Sequence, residues 1–595
     1  MNADVPADAG DRSSTGWGRV LSTAQRCIGR GFLPLCTACA VVHAVGLLLL
    51  SRLAGSPDRA LLAQLACWLL AGVLWFAAML SLALRVKGKL GLVGSLSRRA
   101  LLCVLGLGLG MRLAALPLPV THSQDVYRYV WDGAVQRAGE NPYLDPPSGA
   151  RYQAVRQEQP DAFARINHRH LPTIYPPTAQ LALRLSAQLG ATGEPLQLAL
   201  LRWRVVCGAT ELCLLVVLAA LLRRRRVDLS WLSLWLICPL PVIEIWLNAH
   251  LDGLGILALA AALWAWPDRE IVPQGPGRSG RFDRSGHSDH SDHSNRPEHS
   301  DHSGPSDPLA ADPGMSRSST NSTWCAYVRA ALGGATVALA ILVKPLAAVV
   351  LPGLRGVSRR SLLVFCVAGG LAAFLTWLPY RQAGLQVTPS LGEYGRRWRS
   401  NDGAFAVLQA TSEGLTALAY RPPYWEPWRS QRLARLVTGR ERSTVWPDEL
   451  AGFLARVLAA LPLLWLLRMC WMQKRLPHQT ALLLLSGYAL LTPVLHPWYL
   501  LWPLLLAPLW IQLAWPLLVL CALSPLAYLP LVDELRGLPH REDIVPRLIE
   551  HGAAWLAVAW VWPRIGQGRG ASESEGAAGG ATTGGATTGG AFGAP

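Results

Sequence analysis

The chain has 595 residues, of which 51% are hydrophobic and only 16% charged, with a formal net charge of +17. A soluble chain carries about 25% charged residues, and no water-soluble core has use for the long Leu/Ala/Val/Trp blocks that separate the charges here, so a soluble fold is excluded. The positive charge is almost all arginine in short segments between those blocks, with lysines only at Lys87, Lys89, Lys344 and Lys474; that is the positive-inside pattern of a membrane protein, and no soluble basic module remains to bind nucleic acid.

Residues 1–31 carry Arg12, Arg19, Arg26 and Arg30 and are placed in the cytoplasm. Their polar stretch is too long for the charged leader of a cleaved signal peptide, so the first span is expected to persist. Phe32–Leu50 and Ala60–Leu84 approach or exceed the roughly 20 residues that cross the hydrocarbon layer, and form a predicted hairpin. Cys36 and Cys39 have CxxC spacing inside the first block, with no second pair nearby, and read as small packing residues. Arg85, Lys87, Lys89, Arg98 and Arg99 mark the cytoplasm again, and a span over 100–118 exits. Gly106, Gly108 and Gly110 follow no strand, so they read as sites of close helix packing rather than a dinucleotide fingerprint.

Residues 119–196 form a long outer loop. A span over 198–222 returns to Arg223–Arg226, one over 229–247 exits, Asn248–Asp252 is a short outer link, and the next span ends by 266. Residues 267–323 are rich in Ser, Asp, His, Gly and Pro and lack the apolar surface to fold. Their histidines (His287, His290, His293, His299, His302) read as parts of a solvated spacer. A span over 325–343 ends at Lys344, and the apolar piece to Leu354 is short enough to predict a broken or re-entrant helix. A span over 361–379 leads to a second outer segment, 380–449. Spans follow over 451–468, 479–495, 498–511, 512–530 and 546–563, and then a disordered Gly/Ala/Thr tail, 566–595. The expectation is an all-α polytopic membrane bundle of about 12–13 transmembrane helices with helices in its outer loops.

Chemistry gathers on the outer side of this topology. Asp125 stands where the third span leaves the membrane, and Asp125, Tyr129 and Asp132 share one face of a predicted helix. Two readings fit: an interfacial amphipathic helix with solvated acids, or a carboxylate, kept ionised by Arg128, that takes a proton from a sugar hydroxyl. Asn248, His250 and Asp252 reach the same side, as do His496 with Tyr499, and Lys344. A charged group in a span costs roughly 2.5–3.5 kcal/mol near its centre, which singles Lys344 out. With the Arg396/Arg397/Arg399 cluster it is a candidate to hold a lipid phosphate.

DVYRYVWDG at 125–133, NPY at 141–143, TIYPP at 173–177, IEIWLNAHLDG at 243–253, LVKP at 342–345, EYGRRWRSNDGAF at 393–405 and HPWYLLW at 496–502 stand in one order. Together they resemble the polyprenol-phosphate-mannose-dependent mannosyltransferases of bacteria, multi-spanning glycosyltransferases of the GT-C type, over roughly residues 30–565. The resemblance implies transfer with inversion from a polyprenyl-phosphate sugar to an extracytoplasmic glycan or glycolipid, at the cell membrane. Asp125 would be the base, and Lys344 and His496 would lie near the donor phosphate. Asn248, His250 and Asp252 would line the cavity. Arg128, Tyr129, Asp132, Tyr175, Arg396, Arg397 and Tyr499 complete the candidate binding set. A lipid phosphate is already a stable leaving group, so the chemistry demands no metal or other cofactor. The competing class is a transporter or flippase of lipid-linked or anionic cargo, which also uses polar span ends and broken helices. It would need polar positions on both membrane sides and in two related halves.

Overall fold

The computed structural model describes residues 31–52, 55–86, 96–267, 313–387, 389–419, 428–438 and 444–566. The N-terminal stretch before residue 31, the spacer over 268–312 and the tail from 567 lie outside these residues. Within the expected spacer, the backbone is already helical from Pro313, ten residues before 323.

The described residues form one helical bundle whose only strands are the two-residue pair Trp428–Arg429 and Thr444–Val445. Helix α1 (Phe32–Arg52) packs along α2 (Pro57–Val86), as the predicted hairpin requires. Cys36 and Cys39 are buried in that packing, and Cys39 Sγ lies 3.5 Å from the carbonyl of Ile237. Helix α3 (Arg98–Ala115) follows, then the loop helices α4 (Asp125–Arg137) and α5 (Pro177–Gln188). Next come α6 (Leu196–Arg224), α7 (Asp252–Trp264), α8 (Pro313–Ile341), α9 (Arg359–Trp377), α10 (Gly403–Ala419), α11 (Pro447–Met472), α12 (Pro477–Leu491), α13 (Ile511–Leu523) and α14 (Ile544–Gly566).

Among the described residues seven helices have the length and apolar composition to cross a membrane, or eight if the pair Leu229–Leu236 and Pro239–Leu247, bent by 54°, counts as one span. Of the other spans expected from sequence, Asp252–Trp264 and Pro497–Leu509 are shorter apolar helices, while Arg98–Ala115, Pro477–Leu491 and Ile544–Gly566 are helices of 18, 15 and 23 residues outside those seven. The piece after Lys344 is a ten-residue 3₁₀ helix, Pro345–Leu354, in line with the expected break. Proline causes these interruptions: it offers no N–H to the preceding turn and clashes with it. Gly108 explains its own spacing, since a Cβ there would meet the carbonyl oxygen of Leu236 at 2.7 Å; Gly106 and Gly110 face open space.

A buried ion pair repairs one break. Pro239 removes the donor that the Trp235 carbonyl would use in a continuous helix. Arg112 of α3 reaches over: its Nη1 donates to the carbonyls of Gly108 (2.9 Å) and Leu236 (2.8 Å), and its Nη2 approaches that of Trp235 (3.5 Å). The same guanidinium donates twice to Glu211 of α6, from Nε at 2.8 Å and Nη2 at 2.6 Å. Glu211 also accepts from the indole N–H groups of Trp235 (2.7 Å) and Trp246. Both charged side chains are at most 1% exposed, so pairing and full hydrogen bonding make their burial tolerable.

The cavity that defines the candidate site opens where α4, the start of α7 and the ends of α8 and α12 come together. Arginines mark the remote ends of the helices. Arg224 caps the carbonyl of Trp264, Arg355 that of Trp471, and Arg475 that of Ile565.

Candidate active site

The cavity has a volume of about 1110 Å³. Its floor is ionic. Lys344 follows α8 directly and its Nζ donates to Asp252 Oδ1 at 2.8 Å, at the first residue of α7. Trp502 Nε1 donates to the same oxygen at 2.7 Å. The ammonium also lies 3.9 Å from the ring centre of Tyr499, a cation–π contact. The half-buried lysine is therefore already compensated on two sides, and it lines the cavity.

Asp125 opens α4. Its backbone N–H bonds to the Ser123 hydroxyl at 3.2 Å, and its side chain lines the cavity with Lys344, Asp252 and His496. Burial pushes its carboxyl up to about 6; nearby Lys344 and Arg128 oppose that rise and Asp252 adds to it. At pH 7 the group is mainly a carboxylate, and a stronger base than an exposed aspartate.

Arg128 is not the ion-pair partner of Asp125. Its Nε donates to Asp132 Oδ1 at 2.8 Å and its Nη1 to the Leu171 carbonyl at 3.1 Å, while the residue also lines the cavity. Asp132 lies on the expected helix face but off the cavity wall. It is fully buried and accepts from Arg128, from the Thr173 hydroxyl at 2.5 Å and from Gln180 Nε2 at 2.8 Å. Its work is to tie α4 to the 173–180 segment. Tyr129 and Tyr175 both line the cavity, with ring centres 5.0 Å apart.

Of Asn248, His250 and Asp252, expected to line the cavity, the first two stand behind its wall. All three polar residues are buried, and only Leu251 and Asp252 of the stretch reach the cavity. Asn248 bonds to Glu244 (3.3 Å) and to His122 (3.3 Å), behind the wall. His250 stacks on Trp498 at 3.8 Å and sits 3.4 Å from the Tyr129 hydroxyl, so it supports the cavity lining from below. Ala249 between them adopts φ +57, a left-handed backbone rare for a side-chain-bearing residue. Trp203 Nε1 holds its carbonyl at 2.8 Å. His496 does line the cavity, stacked on Trp498 at 4.3 Å.

Neither Arg396 nor Arg399 lines the site. Arg396 is exposed, 3.8 Å from Glu393, and off the cavity wall. Arg399 pairs with Asp402 at 2.5 Å. The side chain of Arg397 lies outside the described residues. In their place the segment points Tyr394 and Trp398 at the cavity. Sequence reasoning also passed over Glu244, fully buried and bonded to the Tyr528 hydroxyl at 2.6 Å. An acid inside the apolar run VIEIWL was the available signal.

One wall is apolar, built from Leu50, Leu61, Leu531 and Leu535 at the ends of α1 and α2 and after α13. The opposite mouth carries Asn167, His168 and Trp398. A cavity so built can take an amphiphile, with its chain on the leucine side and its polar part over Lys344. Among the described residues no group of three or more His, Cys, Asp or Glu side chains is placed to hold a metal ion.

A family model described as alpha-(1->6)-mannopyranosyltransferase, N-terminal domain, matches residues 31–360, and so covers α1 to the start of α9, with Asp125, Asp252 and Lys344 inside it. No curated protein and no solved structure matches the chain.

Proposed function

The chain belongs to the alpha-(1->6)-mannopyranosyltransferase family, and from that premise we propose that it takes mannose from a polyprenyl-phosphate donor and passes it to a glycan or glycolipid hydroxyl at the outer face of the cell membrane. The donor's isoprenoid chain lies along Leu50, Leu61, Leu531 and Leu535, which favours entry from the bilayer. Its phosphate sits over Lys344 and Arg128, two cationic donors of the cavity lining suited to a phosphodiester oxygen. The acceptor oxygen attacks the anomeric carbon from the face opposite the phosphate, the C1–O bond to phosphate breaks, and the configuration inverts. Asp125 takes the acceptor proton, and the polyprenyl phosphate leaves with the bonding electrons.

The observation that carries this reading is the placement of one carboxylate with a raised proton affinity in the same amphiphilic cavity as a lysine. It is tested with purified full-length protein in nanodiscs, offered a panel of radiolabelled polyprenyl-phosphate sugars and an alkyl α-(1→6)-dimannoside. The mannosyl donor is expected to label the dimannoside. Labelling from no donor, with movement of donor across the bilayer instead, would assign the chain to lipid transport.

The reaction has a predicted pH limb. A base works only when deprotonated, so kcat/KM should rise with pH through about 6 and level off above it. An exposed aspartate would place that limb near 4. A kcat/KM profile for the acceptor flat from pH 5 to 7 would remove Asp125 from the base role.

A further inference from the structure

One wall of the cavity is a continuous run of aromatic rings that the donor reading leaves unused. It begins at Lys344, whose Nζ lies on Tyr499. The Tyr499 hydroxyl is 2.7 Å from that of Tyr394, the ring of Tyr394 is 5.4 Å from that of Trp398, and Trp398 meets the His168 ring edge-on at 4.8 Å. All five residues line the cavity. The run therefore leads from the ionic floor to the polar mouth.

Local structure aims it there. Pro389 starts the nine-residue helix Pro389–Arg397, and Tyr394 faces inward from it while Arg396 faces out. Trp398 follows the helix end, its N–H bonded to the carbonyl of Tyr394 at 3.1 Å. His168 is held at φ +50, a left-handed conformation that turns its exposed ring toward the indole. Asn167 beside it adds an amide donor and acceptor at the same mouth.

A partly exposed indole, an imidazole and an amide at a polar mouth match the chemistry of a neutral pyranose. The sugar's C–H face packs on a ring while its hydroxyls bond at the ring's edge. We propose that Trp398 and His168 form the platform for the terminal hexopyranose of the acceptor, with Tyr394 guiding its hydroxyl toward Asp125. This rests on the glycosyl-transfer reading above and names the acceptor side of that same site.

The test uses full-length protein in nanodiscs and the alkyl α-(1→6)-dimannoside as probe. Binding is read by saturation-transfer NMR without donor, and transfer by the radiolabel assay. Wild type should bind the probe. Trp398→Ala and His168→Ala should each raise the acceptor KM roughly tenfold, about what one aromatic contact supplies. The donor KM should stay unchanged, and Trp398→Phe should recover most of the loss. An unchanged acceptor KM in Trp398→Ala, or no probe binding by wild type, overturns the platform. So does a loss in Trp398→Ala of donor and acceptor affinity together, since that marks a structural role. Probe binding that Trp398→Ala abolishes, without transfer from any donor, would keep the platform and overturn the donor reading instead.

Discussion

Asp125→Asn is expected to cut mannosyl transfer by about 10²–10⁴-fold, the share a positioned general base supplies, while donor binding persists. The substitution is nearly isosteric and keeps the backbone bond to Ser123, so α4 should start at the same residue. It removes only the proton acceptor. Donor affinity should hold because the phosphate is assigned to Lys344 and Arg128, neither of which bonds to Asp125. The measurement is a paired one: transfer of label to the dimannoside, and retention of labelled donor by the nanodisc-embedded protein. Asp125→Glu should keep part of the activity, since the base is present but displaced by a methylene. If Asn and wild type transfer equally fast, another group takes the proton. If donor binding falls with activity, Asp125 shapes the cavity rather than the reaction.

The second large effect is on folding. Arg112→Met leaves Glu211 as an unpaired charge in the middle of the bundle, together with a carbonyl at Leu236 that has lost its donor. Breaking a buried pair from one side costs about 3–5 kcal/mol, a large part of the usual margin of stability. The variant should melt well below wild type in the same detergent, with little monodisperse protein. Glu211→Gln should also destabilise, because it leaves Arg112 as an unpaired buried charge and sets an amide NH2 where the second carboxylate oxygen accepted two N–H groups. The double variant Arg112→Met/Glu211→Leu should recover only part of the loss, since the carbonyl beside Pro239 stays unpaired. Equal melting of Arg112→Met and wild type would show that water or lipid headgroups reach this pair.

Much of this architecture was legible in the residues. The apolar blocks gave the class, and Lys344-Pro345 marked a real break. Asp125, Asp252, Lys344 and His496 do share one cavity, although more than 370 residues separate the first from the last. A costly charge has to sit where it can be compensated, and span ends leave few such places. What failed was what neighbours decide. Asp132 shares the helix face of Asp125, but Thr173 and Gln180 close over it, and no local pattern announces that closure. Arg396 looked like an anion ligand by charge alone, yet the phase of its short helix gives the inward face to Tyr394. Asn248 and His250 were expected in the cavity lining, but the bend of the preceding span, from Pro239 and a π-helical turn over Val242–Leu247, sets them in the core behind it. Arg112 and Glu211 are 99 positions apart, and only the folded bundle introduces them.

The pairing of Lys344 with Asp252 sets a limit on affinity. Lys344 already has a counter-ion in Asp252, so on the proposed reading a phosphodiester with one negative charge would share the ammonium rather than capture it whole. As the sugar departs, the phosphate gains a second negative charge, and its pull on the lysine grows while the carboxylate beneath stays the same. Attraction is then weakest toward the intact donor and strongest along the path to cleavage, which is the ordering that speeds a reaction. On the same reading that carboxylate would repel the spent lipid phosphate, so the tightening that drives bond breaking would not turn the product into a trap.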